Sequence, residues 1–239
     1  MQGASLPSCP AGSLGVVIGA SGAIGGALLD SLQHAFGVTR AIGFSRKGLP
    51  SLDLTSEASI ASAACQLLQS DAPPRLIIDA TGFLHGDGVS PEKSLRQLDA
   101  ANLAKAFSLN AIGPALLMKH FSPLLPRSGK AVFATLSARV GSIGDNHLGG
   151  WYGYRASKAA LNQLVRTAAI ELRRRQPEAI CVALHPGTVD SRLSAPFRKI
   201  GLAVRSPAEA AGGLLEVIDR LRPEDSGGFF DYRGEPVPW

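Results

Sequence analysis

Tyr154 and Lys158 stand in the stretch Tyr154-Arg155-Ala156-Ser157-Lys158, which opens a long helical pattern, so their side chains share one helix face. A phenol, with an ordinary pKa of about 10, is a poor acid or base at neutral pH unless its phenolate is stabilised. A neighbouring ammonium, or any other positive charge set beside the oxygen, stabilises it and draws the phenol towards working pH. The chemistry this pair suits is proton transfer at an oxygen atom. Tyr-x-x-x-Lys is a common pattern by chance, so its weight depends on what else the chain brings to the same place.

A second constellation is Gly19-Ala20-Ser21-Gly22-Ala23-Ile24-Gly25, between the first apolar run and the first helical pattern. Glycines in such a turn allow a pyrophosphate to approach the backbone, and the helix N-terminus that follows attracts its charge. The spacing departs from Gly-x-Gly-x-x-Gly, and position in the first strand–helix unit is what gives it meaning. The second apolar run ends in Phe44-Ser45-Arg46-Lys47. An acidic residue there would accept from a ribose 2′-hydroxyl and select NAD(H). Ser45 and the cationic Arg46 suit a 2′-phosphate instead, hence NADP(H) in preference, with NAD(H) the second choice. Asp53 and Leu54, in Leu52-Asp53-Leu54-Thr55, are placed to meet the adenine edge, and Thr55 or Ser56 to cap the next helix.

Alternating elements must position these groups. Apolar runs at 14–18, 41–44, 76–80, 131–136, 180–184 and 229–230 are separated by helical patterns at 24–36, 56–68, 154–175 and 207–221. Between the third and fourth runs lies a long helical region with Pro91 near its start and further helix over about 102–125. Continuous apolar strands between helices predict a parallel sheet covered on both faces, and right-handed crossovers make it doubly wound. The expectation is α/β: one Rossmann-type domain over 13–239 with about seven strands, preceded by a flexible tail over 1–12.

The net charge of +5 is modest, and the densest cluster, Arg173-Arg174-Arg175, falls where a helix should end and complements its dipole. No basic stripe interleaved with aromatics points to nucleic acid. No uninterrupted apolar run has the length of a membrane span, and the N-terminus lacks a basic signal region. Cys9, Cys65 and Cys181 are odd in number and far apart, which argues against a disulfide framework and for a reducing cytoplasm. His85, His120, His147 and His185 show no metal-ligand spacing, so no metal is assigned. Gly-x-Ser-x-Gly is absent, which removes an α/β-hydrolase.

Together these motifs resemble the classical short-chain dehydrogenase/reductase family over nearly the whole chain. The resemblance rests on the glycine loop, Asp79-Ala80-Thr81-Gly82, Asn110, the Ser137 region, Tyr154 with Lys158, and Pro186-Gly187. The stretches 137–143 and 149–152, and the ending Pro236-Val237-Pro238-Trp239, look like the C-factor-like subgroup, to whose namesake a developmental signalling role is attributed. What the resemblance implies is an oxidoreductase acting on a small carbonyl or alcohol, in a homodimer or homotetramer. Tyr154 would be the general acid in reduction. Lys158 would lower its pKa and bind the nicotinamide ribose, Asn110 would hold a proton-relay water, and Pro186, Gly187, Thr188 and Val189 would cover the nicotinamide.

Three departures from the family pattern stand out. Ala23 occupies the place of the second glycine, with Gly22 just before it. Asp79 and Thr81 replace parts of the Asn-Asn-Ala-Gly signature. Counting back from Gly141, the substrate-orienting serine would fall at Ala138, while Ser137 sits one residue earlier. Adjacent side chains of a strand point to opposite faces. Ser137, Ser142 and no serine at all therefore stay open as the group that polarises the carbonyl, and the last leaves room for a non-catalytic dinucleotide-binding regulator. The segment after Pro186-Gly187, with Leu193, Phe197, Ile200 and Leu202 among Arg192, Arg198 and Lys199, is expected to form part of a substrate lid.

Overall fold

A computed structural model describes residues 6–10, 12–35, 37–49, 51–197 and 203–239. Among these, six strands form one sheet: β1 (Ser13–Ile18), β2 (Val38–Phe44), β3 (Pro74–Asp79), β4 (Ala131–Leu136), β5 (Ala179–His185) and β6 (Phe229–Asp231). Their order is β2-β1-β3-β4-β5-β6, all parallel. The helices are α1 (Ala23–Gln33), α2 (Glu57–Leu67), α3 (Ala100–Phe107), α4 (Gly113–Phe121), α5 (Tyr152–Arg175) and α6 (Pro207–Arg220). Every residue of β1 and of β4 is buried, as expected for strands with helices on both faces.

Two cores follow from the alternation of side chains. On one face Val16, Ile77, Phe133 and Cys181 meet Ile60 of α2, Leu117 and Phe121 of α4, and Leu161 and Val165 of α5. On the other, Val17, Ile78, Ala134 and Val182 meet Leu28 of α1 and Leu214 and Ile218 of α6. The chain winds outward first to β2 and then, through β3, in the other direction. That reversal opens a crevice at the carboxyl ends of β1 and β3, where ligands bind in such sheets. The glycine loop and Ala80 leave from these ends.

The strand count is six rather than about seven. Beyond β2 the chain makes only the single parallel bridge Ser45–Ser51. The Leu52 N–H donates to the Ser45 carbonyl as a bond of that bridge, while Gly48 turns back to the same carbonyl and Ser56 to that of Asp53. The segment read as a flexible tail is anchored where it is described. Leu6 and Cys9 are buried in the α1–α6 core, and Ser8 hydrogen-bonds Asp219 and Lys130. The helix expected near Pro91 is absent: 80–99 is irregular apart from one turn at Leu95–Gln97, and α3 starts only after Asp99 caps Asn102.

Candidate active site

The turn after β1 builds one end of the site. Gly19 takes φ +86°, and its N–H and that of Ala20 both bond the Phe44 carbonyl, at 2.8 and 3.0 Å. Gly22 begins α1 with no side-chain cap and no acidic residue in the first turn. The free N–H groups and the positive end of the helix therefore stand next to Gly19, Ser21 and Gly22, which line a cavity of about 590 Å³. Ala23 is exposed, and Ile24 lines the neighbouring cavity. Gly25 packs beneath the loop, where a Cβ would lie 2.2 Å from the Gly19 carbonyl oxygen. Gly25→Ala must displace the loop, so we expect a loss of about 5 °C or more in Tm together with weaker dinucleotide binding. Thermal melts with and without NADPH check this.

Ser45, Arg46, Asp53, Leu54, Ala80, Thr81 and Gly82 line the same cavity. Arg46 is exposed. Hydrogen bonds from the Thr55 N–H and hydroxyl, at 2.9 and 2.7 Å, hold the Asp53 carboxyl below its usual range, with the Arg46 charge a lesser contribution. Loop, helix start and basic flank fit the pyrophosphate and ribose of a dinucleotide.

At the other end, α5 carries Tyr154 and Lys158. Its entry is set by Trp151 in a left-handed conformation, φ +53°. The Glu92 carboxylate accepts from the Gly153 N–H at 3.1 Å, and the Glu92 carbonyl from Trp151. An anion at this helix start is favourable, so the irregular 80–99 segment aims the tyrosine. Arg155 fastens the preceding loop by donating to the Val140, Gly149 and Gly150 carbonyls.

Lys158 is buried, and its Nζ donates to the Leu136 carbonyl at 2.7 Å. Burial pulls its pKa down to about 8, against the charge of buried Asp79. Asp79 is itself raised by burial, opposed by hydrogen bonds from Thr135 and Thr81. Burial pushes the Tyr154 phenol up to about 12. Sequence reasoning has the lysine lowering the tyrosine; in the structure desolvation dominates both, and the lysine proton faces a carbonyl.

A lysine with a depressed folded-state pKa destabilises the fold fully below that pKa, and the penalty disappears as pH rises past the unfolded value. Lys158→Met removes it. The Tm difference between Lys158→Met and the wild type should therefore favour the variant most below pH about 8 and shrink by several degrees towards pH about 10.5, where an ordinary lysine titrates. Paired melts across that range test it, and a difference that does not change with pH would refute it.

Asn110 lies in a π-turn, Ser108–Ile112, between α3 and α4, a local irregularity frequent at functional sites. Its Oδ1 accepts from the Phe83 N–H at 2.7 Å, and its Nδ2 donates to the Phe83 carbonyl and to Ser157 Oγ at 2.8 and 3.1 Å. It thus ties the loop after β3 to α5. A Cβ on Gly82 would lie 3.9 Å from Lys158 Nζ and 4.0 Å from Asn110 Oδ1, so both buried groups lie close to Gly82, which lines the cavity of the glycine loop.

An adjoining cavity of about 380 Å³ is lined by Tyr154, Ser137, Ala138, His185 and Pro186 to Val189. Ser137 lies just past the end of β4, and its hydroxyl donates to Asn162 Oδ1 on α5 at 2.6 Å. Ser142 is not among the lining residues: buried, it accepts from the Asp145 N–H at 3.1 Å and fixes its own loop. Trp151 completes the wall, with ring centroids 6.3 Å from Tyr154 and 5.0 Å from Phe197. In the segment after Pro186-Gly187, Val189 and Arg205 form a parallel bridge, and His85 Nε2 lies 3.1 and 3.2 Å from the Arg192 and Leu193 carbonyls. Arg198, Lys199, Ile200 and Leu202 fall outside the described residues. Sequence reasoning missed Trp151, Glu92 and Asn162 as parts of the site and left His185 unassigned, because no local pattern marks them.

A doubly wound parallel sheet with a capless helix start at its switch point, and a tyrosine and lysine on the helix beside it, defines a dinucleotide-binding oxidoreductase. A family model described as enoyl-(acyl carrier protein) reductase matches residues 32–210. The chain is 40% identical to the C-signal protein of Myxococcus xanthus over 147 residues, 61% of this chain and 84% of that one. It is 32% identical to 1-hydroxy-2-glutathionyl-2-methyl-3-butene dehydrogenase of Rhodococcus sp. (strain AD45) over 191 residues, 80% of this chain and 79% of that one. It superposes on the NADPH-bound carbonyl reductase from chicken fatty liver with a TM-score of 0.84 and 26% identity, covering 98% of this chain and 96% of the other. The chain belongs to the short-chain dehydrogenase/reductase family and is an oxidoreductase, with the C-signal likeness consistent with the C-factor-like subgroup. No helix among the described residues is long and apolar enough to cross a membrane.

Proposed function

We propose that this protein is an NADP(H)-preferring reductase of small, largely apolar carbonyl compounds, working in the reverse direction on the alcohols. The observation that carries the reading is the cavity that holds Tyr154 directly beside the dinucleotide cleft. The Gly19–Gly25 loop and the start of α1 receive the pyrophosphate. Ser45 and Arg46 receive the 2′-phosphate, Asp53 and Leu54 border the adenine, and Ala80 to Gly82 line the groove between. Pro186, Gly187, Thr188 and Val189 cover the nicotinamide. NADPH, when bound, supplies a hydride.

Tyr154 donates its proton to the carbonyl oxygen as the alcohol forms. A phenol pushed up to about 12 holds that proton through substrate binding. Its release requires stabilisation of the phenolate, which Lys158 and the positive charge left after hydride loss provide. Lys158, drawn down to about 8, exchanges protons easily near neutral pH and sits with Asn110 at Gly82, at the inner end of a relay to solvent. Leu84, Val140, Trp151, Leu193 and Phe197 make the substrate wall apolar, which suits a lipophilic ketone, aldehyde or quinone. A homodimer or homotetramer in the cytoplasm is the assembly we propose.

A panel of such carbonyls with NADPH and with NADH, followed at the nicotinamide absorbance, tests the reading. Turnover with NADPH is the expected result. Failure to bind either dinucleotide in a fluorescence titration would remove it. A second reading, a non-catalytic dinucleotide-binding regulator, draws on the apolar Ala138 and the C-signal likeness. It requires bound dinucleotide with no turnover and an undiminished biological effect in Tyr154→Phe.

A further inference from the structure

The cavity beside Tyr154 offers few hydrogen-bond donors to a carbonyl oxygen. Ser137 directs its proton to Asn162, and Ala138 has none to give. Arg139 reaches Asp145 and Asp231 at 3.4 and 3.5 Å. Arg155 donates to backbone carbonyls, and Ser194 is bonded to the Val189 and Ser191 carbonyls. Thr188 belongs to the segment that covers the nicotinamide.

His185 differs from these. It ends β5 one residue beyond the Leu136–Leu184 pair, so it stands beside Ser137 on the sheet face that α5 covers. It is one of the residues lining the cavity, and its Nδ1 is buried without a partner. Asn162, which accepts from Ser137 through Oδ1, likewise has a buried Nδ2 with no acceptor. Burial first, then the Arg139 charge, hold the imidazole down to about 4 against Asp231, so at neutral pH it carries a single N–H. A water accepting from Asn162 Nδ2 and donating to Nδ1 would leave that hydrogen on Nε2.

We propose that His185 is the carbonyl-orienting donor of this enzyme, holding the substrate oxygen against Tyr154 where neither Ser137 nor Ala138 can. The proposal rests on the reductase reading above. A neutral imidazole N–H polarises a carbonyl without giving up its proton. In the balanced step hydride adds to the carbonyl carbon and the C=O π pair moves to oxygen. Tyr154 protonates that oxygen, NADPH becomes NADP⁺, and His185 ends unchanged.

The test uses 4-nitrobenzaldehyde and NADPH at pH 7. His185→Leu should lower kcat by about 10²-fold, the usual effect of losing one such donor, with NADPH affinity by fluorescence within twofold. Adding Ala138→Ser to His185→Leu should restore most of that loss, which a merely structural histidine would not allow. With His185 in place, Ala138→Ser should raise kcat far less than it does in the His185→Leu background. Unchanged kcat in His185→Leu, or a loss that Ala138→Ser does not restore, overturns the proposal while leaving the reductase reading intact. If His185→Leu does not fold, Ala138→Ser decides: a rise of tenfold or more in the otherwise wild-type enzyme also overturns it. A wild-type enzyme that binds NADPH yet reduces no carbonyl of the panel removes both.

Discussion

Tyr154→Phe is expected to reduce kcat/KM for carbonyl reduction by about 10³-fold while NADPH binds as before. The phenol is the titratable hydroxyl in the cavity that also holds Ala138 and Pro186, and removing its oxygen deletes the proton donor with almost no change in shape. The fold should tolerate the change, because the Trp151–Tyr154 edge contact at 6.3 Å depends on the ring and not on the hydroxyl. Stopped assays at several substrate concentrations separate the effect: kcat should carry the loss and KM should move little. A variant within tenfold of wild type would show that the proton comes from elsewhere. The remainder would then have to come from water or from Lys158, whose Nζ is turned to the Leu136 carbonyl at 2.7 Å.

Arg46→Glu is expected to weaken NADPH by about 10²-fold and to leave NADH nearly unchanged or improved, reversing the preference. A charge-assisted hydrogen bond contributes about 1.5–3 kcal/mol, and a carboxylate in the same place adds repulsion of the 2′-phosphate. Arg46 suits this test because it stands exposed on the rim of the cavity, where its loss leaves no buried group unsatisfied. Neighbouring Lys105 is already joined to Asp87 at 3.0 Å and lies over the Phe83 ring. Titration of both dinucleotides by fluorescence, at fixed ionic strength, reads the ratio directly. Equal loss of NADPH and NADH would place Arg46 at the pyrophosphate or adenine instead.

Several features of this protein are legible in the chain itself, because they depend on short stretches of residues. Apolar runs such as 14–18 and 131–136, each followed by a helical pattern, lead to a parallel doubly wound sheet whatever fills its surface. The glycine loop is meaningful because it follows the first of those runs. Tyr154 and Lys158 share a face because a helix repeats every 3.6 residues. Asn110 is marked by likeness to the family, though the π-turn that holds it is not.

Where the sequence falls short, contacts between distant segments decide the outcome. Residues 6–9 are pinned because Ser8 finds Asp219 and Lys130 on the far side of the sequence. The sheet has six strands where about seven are expected, and the segment directly after β2 adds a single bridge, Ser45–Ser51. The rule of alternating faces leaves Ser137 undecided. Its direction is set by Asn162, 25 positions away, which takes its proton. Glu92 reaches across 61 positions to the start of α5, and no periodicity announces that. By itself, then, the sequence determined the architecture and the family, and it singled out the glycine loop and the Tyr154–Lys158 pair on which the proposed chemistry rests, since period and turn chemistry act locally. Only the tertiary structure decided how deeply Tyr154 and Lys158 are desolvated and which partner the Ser137 hydroxyl takes, because burial and hydrogen-bond partners belong to the packed whole.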